Sequence, residues 1–242
     1  MISLFSLLYR SPKWGQALLD SLYRTTPELN DGRAEFYWIA CRANPETLSF
    51  VRRSGHRYLR HDPQVIDEMP TGYDGPEYLR AVYGALNAGI EIADEKCVVL
   101  SSDHVFTPGW LTSLDGAWNE NLALTSLTLE PGGGRHQVFP AELNGTGALH
   151  RPLGRIPWEM DMERLDAVAA KEAKPVYSPG GAHQPTLFLR EAAMDVGLYP
   201  QGNPSGDFGD RVFFRKLEAA GVHHQTWHGS VVYHVGEGEM TE

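Results

Sequence analysis

The chain predicts an α/β domain with a mainly parallel central sheet and helices on both faces. Three observations carry this. Short apolar, β-branched runs alternate with segments of helical periodicity from the amino terminus to about Trp110. The runs are bounded by polar and turn-forming residues, as buried strands are. A strand-helix alternation of this kind folds into parallel strands with crossover helices. No internal repeat and no Gly/Ser linker divides the chain, so residues 1–242 are expected to form a single domain.

The elements follow in order. Ile2 to Leu8 reads as a buried first strand. Ser11 caps a helix that Pro12 opens. Trp14, Ala17, Leu18, Leu22 and Tyr23 recur at helical spacing along it. Phe36 to Cys41 is the second strand, and Asn44-Pro45-Glu46-Thr47 opens a short helix through Leu48 and Val51. Tyr58-Leu59-Arg60 is a third strand, ended by His61-Asp62-Pro63. Tyr78 to Ile92 is a helix with Leu79, Val82, Tyr83, Leu86 and Ile90 inward, and Val98 to Leu100 is the fourth strand. Beyond it the pattern is less regular. Leu122 to Leu129, a segment at Val176, Thr186 to Leu189 and Val231 to Tyr233 read as strands. Arg190 to Val196 and Asp210 to Ala220 read as helices, the latter stopped by Gly221. Pro131-Gly132-Gly133-Gly134 is a turn, and residues 150–175 are expected to hold a helix and a mobile loop.

Composition narrows the function. Hydrophobic content of 42% and charged content of 21% are those of a globular protein. A net charge of −10, from 21 basic and 31 acidic residues, argues against a general electrostatic grip on nucleic acid. Cys41 and Cys97 each lie in an apolar run and read as reduced core thiols, which points to a cytoplasmic protein. No segment approaches the roughly 18 continuous apolar residues of a membrane span, and MISLFSLLYR lacks a basic leader. No stable membrane insertion is expected. The Asn144-Gly145-Thr146 sequon carries meaning only in a secreted protein.

Val98 to Leu111, VVLSSDHVFTPGWL, is the most informative stretch. An apolar strand ends in Ser101-Ser102-Asp103-His104, at the sheet edge where α/β proteins bind ligands. A carboxylate there suits Mg²⁺ or Mn²⁺, which prefer oxygen ligands and share their site with a substrate diphosphate.

The segment order resembles the GT-A glycosyltransferases, in particular the family-2-like group, over most of the chain. Tyr9-Arg10 after the first strand resembles the first nucleotide-contacting loop. Ala85-Leu86-Asn87-Ala88-Gly89 matches an A-x-N-x-G helix. Val98 to Asp103 with Thr107-Pro108-Gly109-Trp110-Leu111 matches the metal-site strand and its turn. Gly180-Gly181 through Phe188, Arg190-Glu191 and Val196-Gly197-Leu198-Tyr199 resemble the acceptor-side strand and helix. Gly206 to Gly221 resembles the E-D motif with its trailing helix, and Val232-Tyr233-His234-Val235-Gly236 the late histidine strand. There are three departures. The D-x-D motif reads Ser101-Ser102-Asp103, the base-reading aspartate after the second strand is replaced in Ala40-Cys41-Arg42, and the E-D pair reads Gly209-Asp210.

The resemblance implies a GT-A fold. Its nucleotide-sugar-binding half would be residues 1–110 and its acceptor-binding half residues 111–242. It implies a metal-dependent, inverting transfer from a nucleotide-diphosphate sugar, with a UDP-sugar as the expected donor. Asp103 and His234 are the candidate ligands for Mn²⁺ or Mg²⁺. Asp210 is the candidate base, with Asp207 second; as residues at a helix start, both also suit a capping role. Leu8, Tyr9, Arg10, Arg42, Asp62, Arg80, Asn87, Ser101, Ser102 and Asp103 are the candidate donor-binding residues. Arg10, Arg42 and Arg80 are matched to phosphates, and Asp62 is a substitute base reader. Gly180, Gly181, Trp158 and Trp227 are placed on the acceptor side, with Trp158 in a lid. Trp110 suits either a wall of the sugar site or the core. His223, His224 and His228 have no zinc-finger spacing and read as packing or solvent-exposed residues.

The expected acceptor is a glycan hydroxyl. A hydroxymethylated base of viral DNA is an alternative that the net acidity disfavours. A catalytically inert nucleotide-sugar-binding module is a second alternative, suggested by the lost carboxylates. A nucleotidyltransferase would need a glycine-rich phosphate loop after the first strand, and Leu8-Tyr9-Arg10-Ser11 offers none.

Overall fold

Local chemistry sets the helix starts. The Ser11 hydroxyl accepts from the Trp14 amide and Asn44 Oδ1 accepts from the Thr47 amide at 2.8 Å, with proline in the first turn of both helices. The computed structural model describes residues 1–63, 76–129, 157–201 and 207–235. The first half runs β1 (Ile2–Leu8), α1 (Pro12–Thr25), β2 (Ala34–Cys41), α2 (Pro45–Arg53), β3 (Arg57–His61), α3 (Pro76–Ile92) and β4 (Lys96–Leu100). There follow β5 (His104–Phe106), α4 (Trp110–Ala117), β6 (Leu122–Leu129), α5 (Met162–Glu172), β7 (Tyr177–Pro179), β8 (Thr186–Leu189), α6 (Arg190–Asp195), α7 (Gly209–Ala219) and β9 (His223–His234).

The strands form one sheet in the order β3-β2-β1-β4-β8-β6-β9-β5, with β7 also paired to β9. The β3-β2-β1-β4 part is parallel throughout, as the sequence predicts. The second part is mixed. β6 and β9 are parallel, while β8 runs against both β4 and β6, and β5 and β7 run against β9. The chain leaves β1 towards β2 and β3, then returns to place β4 on the other side of β1. That reversal opens a crevice at the carboxyl ends of β1 and β4, where α/β sheets bind ligands.

Period-2 alternation covers both faces of the parallel strands. Leu4, Phe36, Trp38, Val98 and Leu100 pack under α1, α2 and α4. Phe5, Tyr37, Ile39, Cys97 and Val99 pack under α3, α6 and α7. Cys41 and Cys97 are buried thiols, and burial pushes Cys97 up to about 12. Among the described residues no helix is long and apolar enough to cross a membrane. The turn at 131–134, the sequon at 144–146, Gly206, Gly236 and the 150–156 part of the expected loop lie outside the described residues.

The A-x-N-x-G helix motif has a packing explanation. A side chain at Gly89 would meet Ile39 Cδ1 at 2.4 Å and Phe5 Cε2 at 2.7 Å, so only glycine lets α3 lie this close to the sheet. Gly89→Ala is therefore expected to lower stability by about 1–3 kcal/mol through overpacking. Its helix propensity acts in the opposite direction, by about 1 kcal/mol. The midpoint of urea unfolding measures the net sign.

Candidate active site

Asp103 lies three residues past β4, on the crevice. It is 6% exposed. Its backbone is fixed by the Val235 amide, which donates to the Asp103 carbonyl at 3.0 Å. Its carboxylate meets His234 Nε2 at 3.0 Å and accepts from the Ser101 hydroxyl. Burial alone would raise the Asp103 pKa. The hydrogen bond and charge of His234, with His104 and the Ser101 hydroxyl, outweigh it and hold the group well below the usual carboxylate range. Strand register makes this pair. His104 opens β5 and stands opposite His234 at the end of β9, so β5 brings the residue before it against β9. The three-residue β5 is missed by sequence reading because a run that short is defined by its partner strand.

His104 is buried, and its Nδ1 accepts from the Ser101 amide at 3.2 Å. Burial pushes its imidazole down to about 3, with the His234 charge adding to the shift and Asp103 opposing it. A histidine with a folded pKa below its unfolded value near 6.5 stays neutral in the fold while the unfolded chain takes up a proton. Stability is therefore expected to fall as pH drops from about 6.5 towards 3, by up to about 1.4 kcal/mol per pH unit from this group. Denaturant midpoints at pH 7, 6, 5 and 4 test this, and His104→Gln should flatten the dependence.

Asp103 and His234 offer one carboxylate oxygen and one imidazole nitrogen side by side. That donor set fits Mn²⁺ or Mg²⁺ with substrate phosphate oxygens completing the shell. Among the described residues no group of three or more His, Cys, Asp or Glu that could hold a metal ion forms.

A second cluster lies at the same sheet edge. Thr186, the first residue of β8, stands opposite Val99 near the end of β4, and His183 lies three residues before it. His183 Nδ1 meets Asp210 Oδ2 at 2.8 Å. Asp210 sits in the first turn of α7, and its other oxygen accepts from the Arg211 amide at 2.7 Å. Burial tends to raise the Asp210 pKa, but His183 and Arg211 prevail and lower it. Asp207 is engaged differently. It accepts from Arg215 at 2.5 Å and lies 3.8 Å from Arg211, bound to its own helix. Gly209 replaces the glutamate of the E-D pattern, and a Cβ there would strike the Tyr83 ring at 2.5 Å. Tyr83 fills the volume where a glutamate side chain would begin.

The remaining sequence-predicted residues divide into two groups. Leu8 is core, while Tyr9 and Arg10 sit at the end of β1 with the guanidinium 4.6 Å over the Tyr9 ring. Arg42 follows β2 in a left-handed conformation (φ 49°), and its buried Nη1 has no hydrogen-bond partner among the described residues. His61, opposite Cys41 at the end of β3, likewise leaves its buried Nε2 without a partner among them. Ser101 and Ser102 are half-buried beside Asp103. By contrast, Asp62 pairs with Arg60 on the surface and Arg80 is exposed on α3. Asn87 is spent on the fold: its amide donates to the Tyr199 carbonyl at 2.8 Å and accepts from the Tyr199 amide at 2.9 Å.

Of the residues expected on the acceptor side, Gly180 and Gly181 hold the loop before His183 against β9. The Thr226 hydroxyl donates to the Gly180 carbonyl, and a Cβ on Gly181 (φ 147°) would lie 2.0 Å from the Thr226 hydroxyl oxygen. Trp227 packs on Tyr177 and donates to Ser113 at 2.9 Å. Trp158 is 43% exposed, edge-on to Trp14. His224 is buried, His223 exposed, and His228 bonds Ser178 at 2.9 Å. His61 and His183 are the residues that sequence reading passed over. The available signals were a histidine closing a strand and one between a Gly-Gly pair and the next strand.

Three solved structures share this architecture. S. aureus TarS (residues 1–349) aligns with 96% of the chain at TM-score 0.58 and 14% identity. The mannosyltransferase PcManGT from Pyrobaculum calidifontis, in complex with GDP-Man and Mn²⁺, aligns with 97% at TM-score 0.59 and 13% identity. GalNAc-T7, with UDP, GalNAc and Mn²⁺, aligns with 97% at TM-score 0.58 and 14% identity.

The chain has the GT-A fold.

It spans 60%, 56% and 43% of the lengths of those three proteins. Neither a protein-family model nor a curated protein matches it by sequence. The His183–Asp210 cluster lies at the same sheet edge as the crevice beside β1 and β4.

Proposed function

We propose that the protein is a metal-dependent, inverting glycosyltransferase that moves a sugar from a nucleoside-diphosphate sugar to an acceptor hydroxyl. The observation that carries this reading is the pair of buried Asp103 and half-buried His234 at the switch-point crevice of a GT-A fold. When bound there, Mn²⁺ or Mg²⁺ would stabilise the charge that develops on the departing diphosphate. Arg42 and His61 present two buried nitrogens without partners among the described residues, at strand ends on the same sheet edge. Such groups are costly to bury unless a ligand satisfies them, so they are assigned to the donor's nucleotide. The Asp210 cluster supplies the base for the acceptor. One base and a single displacement give inversion at the anomeric carbon.

The surroundings of Asp210 favour a saccharide over DNA as acceptor. Arg211 and Arg215 turn to Asp207, which offsets their charge, and Phe208 stands 43% exposed beside them as an aromatic platform.

The test is a panel of UDP- and GDP-sugars, with and without Mn²⁺, scored by thermal shift and by release of nucleoside diphosphate. Ligand binding to the folded state raises the midpoint by mass action. A Mn²⁺-dependent shift with turnover supports the enzyme. A shift with no release, whatever saccharide is added, would favour the inert module. NMR of the product's anomeric proton reads inversion or retention. Arg42→Met should raise the donor KM by about 10- to 100-fold, the size of one charged hydrogen bond, with kcat little changed.

A further inference from the structure

We infer that His183 takes the acceptor's proton and that Asp210 is the residue that positions it. This assignment rests on the glycosyl-transfer reading of the same site.

Both Asp210 oxygens are engaged, one by His183 Nδ1 and the other by the Arg211 amide. A carboxylate so satisfied, with its pKa lowered by those partners, is a weak proton acceptor. His183 has the complementary geometry. A carboxylate at Nδ1 fixes the proton on that nitrogen and leaves the Nε2 lone pair bare. Nε2 has no partner among the described residues, and the side chain is 28% exposed. The ring packs near-parallel against Phe214 (centroids 5.1 Å, 21°) and His224 (5.9 Å, 25°), which stack on each other at 4.2 Å. Its backbone is fixed as well: the Thr186 hydroxyl donates to the His183 carbonyl at 3.0 Å, and the Gly180 amide donates to the His224 carbonyl at 2.9 Å. The groups facing the imidazole are thus Asp210 and Phe214 of α7 and His224 of β9, with Arg211 beside the carboxylate.

In the step, the acceptor oxygen attacks the anomeric carbon and forms the new glycosidic bond. The bond from that carbon to the diphosphate oxygen breaks, and the nucleoside diphosphate leaves with the electron pair. The acceptor's hydroxyl proton passes to His183 Nε2. Asp210 stabilises the resulting imidazolium, which releases the proton to solvent.

Two measurements on the full chain test this. The first needs no turnover: ¹⁵N–¹H correlation spectra of the histidine rings across pH. Neutral His183 is expected as the Nδ1–H tautomer, held by its hydrogen bond to Asp210. An Nε2–H tautomer in the wild type overturns the assignment even if the protein is a glycosyltransferase. The second uses the nucleotide sugar with the highest Mn²⁺-dependent hydrolysis rate, with water as acceptor. His183→Asn should lower kcat by about 10²- to 10³-fold with the donor KM unchanged. The acid limb of the wild-type profile should be lost in His183→Asn. His183→Gly should recover rate on adding imidazole. An acid limb at carboxylate pH that is unaltered in His183→Asn would make Asp210 the base instead. Absence of any hydrolysis, with the Nδ1–H tautomer intact, would refute glycosyl transfer and with it the base role.

Discussion

Asp103→Asn is expected to lower nucleotide-sugar turnover by about three orders of magnitude, the loss typical of removing a main electrostatic stabiliser of a developing anion. The substitution keeps the size of the side chain and an oxygen, and removes the charge. The carboxylate is almost fully enclosed, accepts from Ser101 and His234, and is the acidic member of the pair proposed to hold the metal. A neutral amide would hold Mn²⁺ weakly and leave His234 without an anionic neighbour. Rates measured across a Mn²⁺ titration should show a weakened metal dependence as well as a lower plateau. The donor-dependent thermal shift should vanish while circular dichroism stays that of the wild type. Retention of full activity at saturating Mn²⁺ would remove Asp103 from the mechanism. His234→Ala should have the same direction with a smaller size, since the carboxylate remains.

Trp110→Ala is expected to cost about 3–5 kcal/mol of stability, the range for deleting a large buried aromatic. Trp110 is 1% exposed, its ring lies 4.4 Å from Phe106, and its Nε1 donates to the Thr26 hydroxyl at 2.9 Å. Its carbonyl accepts from Ser230 at 2.8 Å, so the residue ties the start of α4 to β9. Truncation leaves both a cavity and a buried hydroxyl deprived of its donor. Equilibrium denaturation reads the loss. The donor KM should change little in preparations that remain folded. A stable variant with an impaired KM would return Trp110 to the wall of the sugar site. Trp110→Phe separates the two costs, keeping most of the volume while removing the hydrogen bond.

Much of the fold was legible in the residues themselves. The strand ends at Leu8, Cys41 and Leu100, the caps at Ser11 and Asn44, and the periodicity of α3 and α7 depend on chemistry within a few residues of each site. The polar edge at Ser101 to Asp103 was legible for the same reason: a buried strand that turns polar at its end announces a crevice. Tertiary structure decided the pairings. Asp103 meets His234 only because β5 runs antiparallel to the end of β9, and strand register is a non-local property. His183 meets Asp210 because β8 lies beside β4, bringing the loop before it to the edge where α7 begins. The same packing turned Asn87 from a donor ligand into a clamp on Tyr199 and filled the space beside Gly209 with Tyr83. It also left Arg42 and His61, at adjacent strand ends, each with a buried nitrogen that has no partner among the described residues. Periodicity determines which face of an element is buried, whereas the partner of a polar atom depends on which distant segment the sheet order places against it.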